Sequence, residues 1–73
     1  MYGQRIRELR EEKEMRQEDL AALLHCTQRT VSRYETEKHD LGTGTLIALC
    51  HIFKVSADYI LGLEDEAGAK TYR

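Results

Sequence analysis

Four side chains near the middle of this 73-residue chain, Gln28, Arg29, Ser32 and Arg33, are of types that read hydrogen-bonding patterns. A glutamine amide sets a donor beside an acceptor and so complements an adenine edge. An arginine fork presents parallel donors and complements a guanine edge. Val31 and Tyr34 stand among them, three apart, which is the spacing of one side of a helix. With about 100° per residue, turning Val31 and Tyr34 inward turns Gln28, Arg29, Ser32 and Arg33 largely outward. A surface helix chosen for solubility alone carries Glu and Lys more often than these fork-shaped groups. The segment from Gln28 to Glu35 therefore predicts a helix whose outer face could read base edges in a groove.

Such a helix has to be held by its neighbours. Upstream, Leu20, Leu23 and Leu24 fall at i, i+3 and i+4 with Ala21 beside them, which predicts a helix opening at Gln17 with one apolar face. The periodicity breaks at His25-Cys26-Thr27, where the Thr27 hydroxyl can cap the next helix by accepting from a backbone N–H one turn on. Helices this short bury little alone, so the flanks must supply a core. Tyr2 to Glu14 is expected as the first helix, with Ile6 and Leu9 inward, and Met15 as a core filler. A loop from Thr36 to Gly44 precedes a fourth helix, Thr45 to Phe53, whose stripe of Leu46, Leu49, Cys50 and Phe53 is core. Ser56 caps a short fifth helix, Ala57 to Leu61, closed by Gly62. The expected fold is all-α: a compact five-helix bundle over residues 1–63, with the turn between helices 2 and 3, and a flexible polar tail over 64–73.

Composition narrows the function classes. This length is one domain, near the lower limit for a single core, and leaves no room for a catalytic cleft of ordinary size. No Ser/His/Asp or Cys/His arrangement, Gly-rich phosphate loop or carboxylate pair stands out, so an enzyme is not expected. Cys26 and Cys50 show no metal-ligand spacing with each other or with His25, His39 and His51. No metal and no cofactor are expected, and both cysteines read as small buried thiols in a reducing compartment. No apolar run could span a bilayer and no signal peptide precedes the first helix, which points to the cytoplasm and away from membranes. The formal charge of −2, from 13 acidic and 11 basic residues, fits a polyanion only if the charges are segregated. Arg10, Arg16, Arg29, Arg33 and Lys38 can cluster, while Glu64, Asp65 and Glu66 lie in the tail.

Gln17, Ala21, Leu24, Val31 and Tyr34-Glu35, at these spacings, resemble the helix-turn-helix of the Cro/phage-repressor family, also called XRE-like regulators. Ile6 to Lys13 resembles that family's first helix, and Thr45 to Leu63 its last two, so the resemblance covers nearly the whole chain. It departs at His25 and Glu37, where the family favours Gly, at Arg16, where Ser or Thr caps the helix, and at Leu41, a common Pro position. The resemblance implies the phage-repressor type of bundle and a sequence-specific DNA-binding transcriptional regulator, a repressor. It also implies that Arg10 pairs with Glu35 and lies close to a DNA phosphate.

On this reading Gln28, Arg29, Arg33 and Ser32 contact bases of double-stranded DNA. Gln17, Thr27, Arg10, Lys38 and Thr30 contact phosphates, helped by the free N–H groups that open the second helix. Tyr59, Ile60 and Leu63, with Leu61, are more apolar surface than one short helix can hide, and predict a homodimer contact on a palindromic site. The alternative is an antitoxin-like or anti-repressor module that holds another protein, which the acidic balance favours slightly.

Overall fold

Apolar residues one turn apart in each segment converge on one core. In the computed structural model, which describes residues 1–63, the elements run α1 Tyr2–Glu12, α2 Gln17–Leu24, α3 Gln28–Glu35, α4 Thr43–Phe53 and α5 Ala57–Ile60. Ile6 and Leu9 of α1, Leu20 and Ala21 of α2, and Val31 and Tyr34 of α3 meet Leu49, Cys50 and Phe53 of α4. No helix among the described residues is long and apolar enough to cross a membrane. The tail expected over 64–73 lies outside the described residues.

The ends of the helices explain where the boundaries fall. α1 stops at Glu12 rather than Glu14 because Glu14 adopts φ 54 and the Met15 N–H turns back to the Arg10 carbonyl at 3.1 Å. α2 stops the same way: His25 has φ 57, and the Cys26 N–H donates to the Ala21 carbonyl at 3.0 Å. These closures satisfy carbonyls that the last turn leaves over, and they ask for a left-handed residue that is usually Gly. With Arg16 unable to accept at the start of α2, the Asp19 carboxylate reaches back to the Arg16 N–H at 2.9 Å. α4 starts at Thr43, earlier than Thr45, with Gly42 as its extended capping residue. His25→Gly is expected to raise stability by about 0.5–1 kcal/mol, because Gly takes positive φ without a Cβ penalty. A lower urea midpoint for that variant would contradict the strain.

Four side chains differ from the sequence expectation. Leu23 is 52% exposed, because Leu20, Ala21 and Leu24 occupy the inward arc and leave Leu23 on its flank. Cys26 is only half-buried, whereas Cys50 is buried. Tyr59 and Ile60 do not face a partner: they are 1% and 0% exposed. α5 is four residues long and leans on α1, so its two large side chains complete the core. The Arg5 guanidinium covers the Tyr59 ring, 4.4 Å from its centre. Among the described residues, the large apolar side chains left outside are Leu61, Leu63, Ile47, Leu23 and Met1.

One glycine fixes how α1 meets α3. A Cβ on Gly3 would lie 2.3 Å from the Glu35 carbonyl oxygen, so the first turn of α1 presses directly on the last turn of α3.

Candidate nucleic-acid interface

α3 begins at Thr27, whose Oγ1 accepts from the Thr30 N–H at 3.2 Å and lies 3.0 Å from the Thr30 hydroxyl. This cap fixes the helix N-terminus and leaves N–H groups of the first turn pointing outward. With Val31 and Tyr34 buried, Gln28, Arg29 and Arg33 are exposed along the outer side, and Ser32 and Thr30 are half-buried at its edges. Eight residues at 1.5 Å each make α3 about 12 Å long, which suits a major groove. Lys38 is exposed beyond the C-terminal end of α3, opposite the end that Thr27 caps.

Beneath that face runs a chain of polar contacts. Arg10 donates through Nε to Glu35 Oε2 at 2.7 Å and through Nη2 to Glu35 Oε1 at 3.2 Å. Its Nη1 donates to the Met15 carbonyl at 2.8 Å, tying the α1–α2 link to the same group. The two side chains are 12% and 5% exposed, so this is a largely desolvated, two-point ion pair. The hydrogen bond it donates to Glu35 raises the Arg10 pKa above its ordinary value, partly opposed by burial. All three guanidinium nitrogens therefore donate inside the protein, and Arg10 supports Glu35 from behind the outer face of α3.

The chain continues to the surface. Gln17 donates through Nε2 to Glu35 Oε1 at 3.1 Å, and the Gln28 amide donates to Gln17 Oε1. Glu35 thus orients Gln17, and Gln17 in turn accepts from Gln28. The sequence named all four of these residues but not the order in which they connect. Its only signal was a pair of glutamines at the first positions of adjacent helices.

Elsewhere the chemistry is quiet. No group of His, Cys, Asp and Glu among the described residues could hold a metal ion. Burial pushes the Cys26 and Cys50 thiols above their ordinary pKa, which disfavours the reactive thiolate.

Comparison with known proteins agrees with this geometry. Residues 6–60 match the helix-turn-helix family. The chain is 36% identical over 73 residues to the uncharacterized HTH-type transcriptional regulator YobD of Bacillus subtilis (strain 168), covering all of this chain and 65% of that protein. It is 35% identical over 68 residues to the HTH-type transcriptional regulator ImmR of the same organism, covering 93% of this chain and 53% of the other. It therefore spans between half and two thirds of the length of these relatives. Its fold is similar to the P22 c2 repressor protein, crystallised in complex with a synthetic operator. The TM-score is 0.81 at 26% identity, over 88% of this chain and 97% of that one. Residues 6–60 and the helix arrangement together place the chain in the Cro/phage-repressor (XRE-like) helix-turn-helix family of transcriptional regulators.

Proposed function

We propose that this chain is the DNA-binding module of a transcriptional repressor that acts in the cytoplasm as a homodimer on a palindromic operator. The observation that carries the reading is the exposed row Gln28, Arg29 and Arg33 on a helix anchored from behind by Arg10, Glu35 and Gln17. A solved repressor of the same fold sits on its operator, which supports the same use of α3. Gln28, Arg29 and Arg33 read bases, with Ser32 beside them. Thr27, Thr30, Lys38 and the N-terminus of α2 at Gln17 set the register on phosphates. A single recognition helix covers few base pairs, so specificity requires a second subunit. With Tyr59 and Ile60 in the core, the dimer contact passes to exposed Leu61, Leu63 and Ile47.

Selection of bound duplexes from a random pool tests this. An inverted repeat with half-site centres about 34 Å apart is the expected product. Absence of enrichment, together with tight capture of a partner protein, would favour the antitoxin-like or anti-repressor reading. The exposed apolar side chains Leu61, Leu63 and Ile47 could also serve that role.

Salt dependence gives a second check. With Arg10 turned inward, Arg29, Arg33 and Lys38 remain as cations at the face. Their number allows at most about six phosphate neutralisations per dimer, and a slope of log K against log salt no steeper than about −5. A steeper slope would mean that other basic residues, such as Arg16, also touch the duplex.

A further inference from the structure

We propose that Glu37 is a positioning residue: its carboxylate caps α1 from across the fold and thereby holds Lys38 at the DNA backbone. The inference rests on the DNA-binding reading above and extends it to a residue that does not itself touch DNA.

The start of α1 lacks a local cap. Met1 at the start of α1 offers no side-chain hydrogen bond, and no acidic residue lies in the first turn. Amides in that turn have no intrahelical acceptor, and the positive end of the helix favours an anion. The Gly3 N–H donates instead to Glu37 Oε2 at 3.3 Å, from a residue 34 positions away. Glu37 is an unfavourable choice on backbone grounds alone. Its φ is 59, a conformation that Gly adopts at lower cost. The side chain therefore brings something that Gly would not.

Neighbouring contacts show what is being held. The Tyr2 hydroxyl donates to the His39 carbonyl at 2.9 Å. The His39 ring meets the Tyr34 ring edge-on, with centroids 5.5 Å apart and planes at 82°. Lys38 lies between Glu37 and His39, and its own N–H donates to the Arg33 carbonyl at 2.9 Å. The residues flanking Lys38 are thus tied to α1 on both sides, while the Lys38 side chain is exposed. A Cβ at Gly3 would also come within 2.9 Å of Glu37 Cγ, so the two elements are in direct contact. The start of α1 works as a clamp on the segment that follows the recognition helix. A lysine whose backbone is already fixed loses less freedom when it meets a phosphate.

A double-mutant cycle on the selected duplex tests the coupling. Lys38→Ala is expected to weaken binding about fivefold in the wild-type chain and less than about twofold in a Glu37→Gly background. Glu37→Gly removes backbone strain, so it is expected to stay folded, with Gly3 as the amide whose chemical shift moves most. Glu37→Gln keeps an acceptor oxygen and is expected to restore most of the Lys38 dependence. An equal Lys38→Ala loss in both backgrounds overturns the proposal. So does a Lys38→Ala change without effect in wild type while Gln28→Ala still weakens binding, an outcome that leaves the base-reading function intact. If neither Gln28→Ala nor Lys38→Ala alters binding to any duplex, the DNA-binding reading itself fails and the proposal falls with it.

Discussion

Arg10→Met is expected to destabilise the protein by about 3–5 kcal/mol, because it strands the Glu35 carboxylate in a site where its side chain is only 5% exposed. Gln17 Nε2 would remain as a donor to Glu35 Oε1, but one neutral amide does not balance a desolvated charge. A domain of this size is stable by only about 5–10 kcal/mol in total, so the loss takes a large part of it. Thermal or urea denaturation of the purified variant measures it directly. Removing both charges together, in Arg10→Met with Glu35→Leu, is expected to recover most of the stability, because a well-packed apolar pair can replace a buried ion pair. That double variant separates stability from orientation. It should fold yet bind its preferred duplex with relaxed selectivity, since Gln17 and through it Gln28 lose their anchor. A single variant within about 1 kcal/mol of wild type would show that the pair is a solvated surface contact.

Gln28→Ala and Arg33→Ala are each expected to cost about 1–3 kcal/mol on the preferred site and to relax base preference at one position per half-site. Gln28 should show the sharper loss of selectivity, because its amide is held by Gln17 whereas Arg33 is exposed on a later turn. Gln17→Ala should reproduce part of the Gln28 effect without removing a base-reading group. Binding titrations of each variant against the selected duplex and a scrambled one check this. Equal weakening on both duplexes would reassign these side chains to phosphate.

Helix α3 was legible in sequence because three signals agreed there: Val31 and Tyr34 at helical spacing, Thr27 as a cap, and polar side chains between them. The core of α1 and α4 was legible for the same reason of period. What escaped the sequence depends on contacts between distant segments. Tyr59 and Ile60 read as surplus apolar surface because counting side chains on a short helix does not reveal that α1, with Arg5 over the Tyr59 ring, covers them. Leu23 satisfies the i, i+3 rule yet sits on the flank, since Leu20 and Ala21 set the inward direction. Arg10 was correctly paired with Glu35 through the family resemblance. The further bond from Arg10 to the Met15 carbonyl shows only in the fold. Gly3 carried no signal at all, because its importance lies in the Glu35 carbonyl that a Cβ would strike.

Amide chemical-shift mapping of the labelled protein, titrated with its selected duplex, tests most directly that α3 enters the groove. The expected result is a set of large shifts at Thr27 to Arg33, with further shifts at Gln17 and Lys38 and little change around Leu20 or Leu49 in the core. Shifts centred instead on Ile47, Leu61 and Leu63, with Gln28 and Arg29 unmoved, would contradict DNA reading by α3 and mark those exposed apolar side chains as the working surface.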